Sequence, residues 1–135
     1  MGVRVRYKLD VAISSTPAEE RDLGNGKFEI VVDSQSEGGS WKTTVLAGAT
    51  DQQIQLPNVA VAKLIAIRTN PKNPNDVPVN LTFKRGSPAG EAIVVAPLAT
   101  SKEGYLFMTT DSLTALYCTN AGTVASEVTV YVAGD

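Results

Sequence analysis

The chain has 135 residues, with 12 Lys and Arg, 14 Asp and Glu, no His and one Cys, a size that fits one compact domain. The absence of His excludes Ser-His-Asp and Cys-His catalysis and His-ligated zinc, and a single Cys excludes paired-cysteine redox and zinc sites. The net charge of −2 argues against a nucleic-acid-binding protein, which carries a basic excess. Cys118 lies in an alternating apolar run and is expected to be a small buried hydrophobe. Composition therefore predicts a single non-enzymatic domain over residues 1–135.

The N-terminal segment alternates apolar and polar residues over about residues 2–14. Its odd positions are apolar, while the even positions begin with Arg4, Arg6 and Lys8, a period that is typical of a β-strand with one buried face. The three cations form either a solvated strand face or a contact with an acidic surface of a neighbouring subunit, and they also discourage unwanted edge pairing. Neither this segment nor the longest apolar stretch, 59–67, predicts a signal peptide or a membrane span.

A helix-capping pattern follows the first predicted strand. Pro17 at the first helical position and Glu19 at the third, after a Thr at the N-cap, form a capping box. This pattern predicts at most one short helix over about 17–23, although an ordinary acidic loop explains it equally well. The adjacent Asn25 and Gly26 then favour a tight turn that leads into the second strand.

The remainder of the chain divides into short apolar runs separated by turn residues. The segment 37–40 predicts a turn, as does 110–112, and residues 59–69 are apolar at both alternating sets, which predicts a strand buried on both faces near a sheet centre. Turn signals about every 8–12 residues indicate an all-β fold, a single-domain antiparallel β-sandwich or a small barrel. The other predicted strands are 27–34, 41–47, 52–56, 77–84, 92–97, 105–110, 113–119 and 124–132.

Carboxylates are the only abundant acid–base groups of the chain. Glu19, Glu20 and Asp22 lie together, but a solvated helix cap explains them better than the facing pair that a glycosidase needs. The loop with Asn73 and Asp76 offers oxygen atoms, yet it lacks EF-hand spacing and has ordinary turn composition. The sequence therefore predicts no catalytic, metal or cofactor site.

Aromatic residues are scarce, and most are expected in the interior. Trp41 follows a Gly-Gly-Ser turn and is either a core residue or an exposed anchor for a partner or a sugar ring, and we favour the core because large aromatic residues are mostly buried. Tyr105, Phe107, Tyr117 and Tyr131 fit strand alternation and are expected to pack in or between sheets. No sugar-binding cluster of aromatic and polar residues is visible along the chain.

The C-terminal half has a distinctive order of strands and turns, namely NLTF at 80–83, AIVVAPL at 92–98, EGYLFM at 103–108, SLTALYCTNAG at 112–122 and EVTVYVAGD at 127–135. Over about residues 59–135, and more loosely in the strand and turn that begin at Trp41, this order resembles small virion structural proteins of tailed bacteriophages. The resemblance is a pattern of strands and turns, so it brings no catalytic residue with it.

The resemblance implies a jelly-roll-like sandwich that acts as a capsid decoration (cement) protein. Such a protein is made in the host bacterial cytoplasm, resides in the virion, binds the major capsid protein or other virion subunits, and is a homo-oligomer, a dimer or a trimer. We expect Arg4, Arg6, Lys8 and Trp41 at its partner interface, with no cofactor and no nucleic acid or membrane partner. The alternative is a tail, neck or fibre-tip component acting as an adhesion or receptor-binding module. A small glycan hydrolase is a distant third, since it needs two facing carboxyls.

Overall fold

The computed structural model describes residues 4–13, 24–33, 37–56 and 60–134. The described residues form ten β-strands and no helix, and the predicted short helix over 17–23 lies outside them. The strands are β1 (Arg4–Ile13), β2 (Gly24–Asp33), β3 (Glu37–Val45), β4 (Gln52–Ile54), β5 (Ala62–Pro71), β6 (Leu81–Arg85), β7 (Ala92–Val95), β8 (Gly104–Leu113), β9 (Leu116–Thr119) and β10 (Ser126–Gly134).

The strands form three antiparallel sheets. The first four-stranded sheet, called the large sheet below, has the order β3-β10-β5-β8, and the second, the small sheet, has the order β4-β9-β6-β7. β1 and β2 pair only with each other, in a two-stranded sheet that we call the N-terminal hairpin. The predicted all-β class and antiparallel sandwich are confirmed by the two four-stranded sheets.

The hydrophobic core lies between the large and small sheets. Both contribute alternate side chains to it, because successive residues of a strand point to opposite faces. The small sheet contributes Phe83, which is fully buried, and Cys118, whose predicted burial is confirmed. The remaining core residues include Val45, Ile54, Ile65, Ile67, Leu81, Leu116, Val128, Val130 and Val132.

β5 is buried on both faces, as its sequence predicts. It lies between β10 and β8 in the large sheet, and all four residues from Leu64 to Ile67 are buried. The strand covers 62–71 rather than the predicted 59–69. A β-bulge at Lys63 interrupts the pairing, so Ala62 and Ile65 both face the core although they are three residues apart. A bulge inserts one extra residue and thereby reverses the alternation.

Three predicted turns are strands in the structure. Residues 37–40 belong to β3 and pair with the end of β10, residues 110–112 belong to β8, and Asn25 and Gly26 lie in β2 opposite β1. Glycine and small polar residues favour turns locally, but cross-strand hydrogen bonds outweigh this preference, most easily on edge strands such as β3 and β8.

Asn120 ties together the loops at one end of the sandwich. Its side chain is fully buried, and its Nδ2 donates to the backbone oxygens of Val45 at 3.2 Å and Val124 at 2.9 Å. Its Oδ1 accepts from the backbone N–H of Gly122 at 2.9 Å. A Cβ atom on Gly122 would lie 2.6 Å from a methyl carbon of Val79, so this close packing requires glycine there. A buried amide with all these partners fixes the loop geometry.

Candidate functional site

The N-terminal hairpin carries the predicted interface residues Arg4, Arg6 and Lys8. Its register places Arg4 opposite Asp33 and Lys8 opposite Glu29, so two of the three cations have an acidic residue at the facing position. Directly opposed charges of unlike sign stabilise a strand pair. Arg6 is directly opposite Val31, and Glu29 and Asp33 are its diagonal neighbours in the register.

The hairpin positions that alternate with these charged positions are mainly apolar. Antiparallel partners lie on the same face of a two-stranded sheet, and this face combines the odd positions of β1 with residues from β2. The pairs are Val5 with Val32, Tyr7 with Ile30, Leu9 with Phe28, and Val11 with Gly26. The register thus pairs apolar with apolar positions and cations with acidic residues at most of these positions, and neither strand hydrogen-bonds to the large or small sheet.

Four aromatic residues expected in the interior lie at the surface instead. Trp41 is 48% exposed, and Tyr105, Phe107 and Tyr131 are also exposed. Trp41 and buried Val45 are four residues apart on β3 and therefore lie on the same face of the strand. However, β3 is an edge strand with a neighbouring strand on one side only. The other three alternate with core residues and therefore lie on the outer face of the large sheet. The interior predictions for these four residues were wrong.

A row of polar residues crosses the outer face of the large sheet. In register, Lys42 on β3 is the neighbour of Thr129 on β10, Thr129 of Arg68 on β5, and Arg68 of Tyr105 on β8. Sequence reasoning missed Arg68 and Thr129 because neither residue stands out in its own strand. Only cross-strand register, which one strand cannot reveal, brings them together.

Two depressions flank this row, and Lys42 and Arg68 line both of them. One, of about 250 Å³, is also lined by Lys102, Glu103 and Glu127. Carboxylates balance the cations there, since Lys42 Nζ lies 3.5 Å from a carboxylate oxygen of Glu127 and Lys102 Nζ donates to the Pro74 oxygen at 2.7 Å. These contacts form a polar network, in which Lys102 is joined to the loop that contains Pro74 and Lys42 on β3 is joined to Glu127 on β10.

The second depression, of about 470 Å³, has a different composition. It is lined by Ser40, Trp41, Lys42, Arg68, Thr129 and Tyr131. These lining residues include two cations and three hydroxyl-bearing residues but no carboxylate, and Trp41, the register partner of buried Val130, has its side chain on the opposite face of the sheet from the other five. We call it the aromatic–arginine depression.

Arg68 and Thr129 form the polar floor of the aromatic–arginine depression. Arg68 has no ion pair with any residue in the part of the chain that the structure describes, and its Nε is buried without a hydrogen-bond partner. The Thr129 side chain is 6% exposed, and its Oγ1 has no partner either. Two other unpaired hydroxyls, those of Thr43 and Thr69, lie on the core side of the same sheet. Buried polar groups are normally paired, and these two neighbouring unpaired atoms are enclosed by protein beneath the surface of the depression.

Tyr105 shows how the nearby charges act on a titratable group. Its hydroxyl donates a hydrogen bond to the Glu103 carboxylate, which raises the pKa of Tyr105 above its ordinary value, with smaller contributions from burial and the Glu103 charge. The positive charge of Arg68 opposes this shift. Arg68 and Tyr105 are therefore electrostatically coupled across β5 and β8.

The remaining charged clusters are ion pairs that support the fold. Lys84 Nζ lies 3.0 Å from Asp51 Oδ1, and Arg85 lies 3.5 Å from Glu91. Burial raises the pKa of Cys118 to about 12, so the thiol is protonated at neutral pH and is a poor nucleophile. Among residues 4–13, 24–33, 37–56 and 60–134, no group of three metal-ligating side chains was found. No helix there is long and apolar enough to cross a membrane.

The chain was compared with protein-family models, with curated proteins and with solved structures. None of the three comparisons found a significant match. Inferences about function therefore depend on the fold, the N-terminal hairpin and the outer face of the large sheet.

Proposed function

We propose that this chain is a non-enzymatic bacteriophage virion structural protein, a capsid decoration protein that binds and stabilises the assembled shell. The N-terminal hairpin is the observation that carries the proposal. Two ten-residue strands pair along their full length outside both four-stranded sheets, and their sequences alternate apolar with polar or charged residues. An isolated two-stranded hairpin is marginally stable in water, so a contact with another subunit would stabilise it.

The connectivity of the sandwich supports the same proposal. From β3 to β10 the chain passes repeatedly between the large and small sheets, and only β6 and β7 are consecutive strands of one sheet. Eight strands in two four-stranded antiparallel sheets are the arrangement of a jelly roll, an architecture found in viral capsid domains. We assign the sandwich to this class as part of the proposal.

A decoration role needs binding energy rather than chemistry. A protein that binds only the assembled shell stabilises it by mass action, by an amount that grows with the logarithm of its free concentration relative to its dissociation constant. Closed symmetric oligomers suit the symmetric junctions of a shell, and we propose that the hairpin contacts either a capsid subunit or a second copy of this chain. Arg6, which has no acid opposite it in register, is the cation best placed to meet an acidic partner surface.

Copy number on the particle tests the proposal. Phage particles made with and without this chain are compared by quantitative mass spectrometry and by heating of the heads. We expect hundreds of copies per head and a lower disruption temperature when the chain is absent. A few to a few dozen copies would instead indicate a tail, neck or fibre-tip component, and no association with particles would refute a virion role.

A matched pair of variants tests the surface. Arg6→Glu reverses a hairpin charge, and Arg85→Glu makes the same change on the small sheet, where the arginine is 3.5 Å from Glu91. We expect Arg6→Glu to reduce occupancy of the particle and Arg85→Glu to leave it near the level of the unmodified protein. Equal occupancy for both variants would remove Arg6 from the interface.

A further inference from the structure

Three apolar residues on the outer face of the large sheet are buried, although they do not belong to the core between the two sheets. Leu64 and Ala66 on β5 alternate with core residues, as does Ala133 on β10, so their side chains point away from the small sheet. Leu64 is 3% exposed and Ala133 is fully buried. We call these three residues the outer apolar patch.

Neighbouring strands do not account for the burial of the outer apolar patch. In register, Leu64 lies between Ala133 on β10 and Thr109 on β8, and Gly38 on β3 is the other neighbour of Ala133. Thr109 is exposed and a glycine has no side chain, so neither residue encloses a leucine. The cover of Leu64 therefore lies above the sheet.

The order of the strands narrows what covers this end of the large sheet. Three connections meet there, because β4 leads into β5, β8 leads into β9, and β2 leads into β3. β4 and β9 belong to the small sheet, which packs on the inner face, so their connections lead away from the outer face. Among the strands that the structure describes, only those of the N-terminal hairpin belong to neither four-stranded sheet.

A short connection ties the N-terminal hairpin to this same end. Only residues 34–36 separate Asp33, the last residue of β2, from Glu37, the first residue of β3. A fully extended chain of this length places Asp33 within about 14 Å of Glu37. Glu37 pairs with Gly134, the residue after Ala133. The hairpin is therefore anchored beside the outer apolar patch.

The apolar positions of β1 match this patch in chemistry. Val5, Tyr7, Leu9 and Val11 recur with period two, and such a row lies along one side of a strand. We propose that the N-terminal hairpin crosses the outer face of the large sheet of its own chain, with this row over the outer apolar patch. Sheets packed face to face lie about 10 Å apart, so the hairpin adds a third layer at one end of the sandwich.

The distribution of exposure indicates that the hairpin crosses the sheet rather than following its length. Tyr131 and Phe107 are the neighbours of Ala66 in register, and their exposed fractions are 46% and 44%. Lys42, farther along the same face, is also exposed. A large crossing angle between packed sheets, as in orthogonal packing, covers one end of the large sheet and leaves the rest of its outer face open.

A second copy of this chain is the competing occupant of the outer apolar patch. Two observations favour the chain's own hairpin. Leu64 is buried within a single chain, and a short tether gives the attached hairpin a local concentration in the millimolar range. A separate copy reaches that concentration only in concentrated solution.

Docking assigns a direction to the cations of β1. Arg4, Arg6 and Lys8 alternate with the apolar row, so a hairpin docked through that row holds these positions away from the large sheet. The outer apolar patch is small, and a further contact on the cationic side would still add to the stability of the hairpin. That second contact rests on the proposed function, whereas docking on the large sheet does not.

Nuclear Overhauser effects in the purified full chain test the inference directly. We expect effects from the Leu64 methyl protons to side-chain protons of residues 4–33. A mixture of isotopically labelled and unlabelled chains, filtered for contacts between molecules, should show none of these effects. The absence of effects between Leu64 and residues 4–33, or their presence only between molecules, would overturn the inference.

A matched pair of leucine variants measures the contribution of the patch. Leu64→Gln should accelerate hydrogen exchange of the β1 and β2 amides about tenfold or more, because an undocked hairpin is marginally stable. Leu46→Gln makes the same change at a residue that is 64% exposed and should leave these rates unchanged. The β6 amides report whether the sandwich stays folded in both variants.

Two exchange results would contradict docking at Leu64. These are unchanged β1 and β2 rates in Leu64→Gln, and equal acceleration by Leu46→Gln. If Leu64→Gln also accelerated the β6 amides, the Overhauser effects in the unmodified chain would decide. Neither measurement uses a phage particle, so both are independent of whether the chain decorates a capsid.

Discussion

The N-terminal hairpin and the sandwich share the same period-two sequence pattern but differ in how their strands are paired. In β6, Phe83 alternates with polar neighbours and is fully buried because the large sheet faces it. The sequence of β1 has the same alternation, but this strand pairs only with β2 and belongs to neither four-stranded sheet. Period-two alternation thus identifies strands and their faces, whereas tertiary structure or a partner decides what those faces meet. Four variants, taken in decreasing order of expected effect, test this comparison between the sandwich and the hairpin.

Phe83→Ala should have the largest effect on the sandwich. Removing a fully buried ring costs about 3–5 kcal/mol, because transfer energy is lost and a cavity remains. The measurement is the free energy of unfolding from urea denaturation. Val94→Ala, at an exposed position in the small sheet, is the control and should change this energy by less than about 0.5 kcal/mol. Similar losses for both variants would contradict a core at Phe83.

Asn120→Ala should cause the second-largest loss in the free energy of unfolding. The variant leaves the Val45 and Val124 oxygens and the Gly122 N–H without their side-chain partner. Only the bond to Val45 is fully buried, and the loss of a buried partner costs about 1–3 kcal/mol. We expect about 2–3 kcal/mol less stability in the same urea assay. Asn73→Ala removes one acceptor bond at an exposed turn and should cost well under about 1 kcal/mol. If the two asparagine variants were equally stable, the Asn120 network would not hold the loops.

Cys118 should make the sandwich less stable at alkaline pH. Its folded pKa is about 12, raised from 9.0 by burial, so the unfolded thiol loses its proton first and the unfolded state binds fewer protons. The stabilisation is complete below about pH 9 and is lost as the pH rises towards 12, by roughly 1 kcal/mol at pH 10. Urea denaturation across this range should show a steeper decline for the unmodified chain than for Cys118→Ala. Parallel curves would mean that the thiol is not shielded.

The smallest effect concerns the register of the hairpin. Lys8→Glu places two acidic residues at facing positions, since Lys8 is opposite Glu29, and like charges directly opposed destabilise a strand pair by about 0.2–1 kcal/mol. Hydrogen exchange of the β1 and β2 amides should become faster in this variant and should recover when Glu29→Lys is added. The amides of β5 should exchange unchanged, because the hairpin does not hydrogen-bond to the large sheet. A double variant without recovery would rule out this register.

The sequence was sufficient for the fold class and for the burial of β5, because both follow from the local alternation of apolar residues. It failed at 37–40, where glycines favour a turn but hydrogen bonds from β10 make a strand. It also failed for Trp41 and Tyr131, since their exposure depends on edge position and parity relative to distant strands. Arg68 and Thr129 come from segments about sixty residues apart along the chain. Their meeting depends on long-range register, which no short window of sequence contains.

The position of β10 has a consequence for biosynthesis. This strand, residues 126–134, lies between β3 and β5 and is hydrogen-bonded to both, so without it β3 has no neighbour in the large sheet. A nascent chain that has emerged only as far as β9 therefore lacks the strand that joins β3 to the rest of the sheet, and its apolar core residues stay exposed during translation. Folds that depend on long-range strand pairing form slowly and leave aggregation-prone apolar surface exposed until they close. We expect the sandwich to close only after residues 126–134 leave the ribosome, and chains interrupted before β10 to aggregate or be degraded.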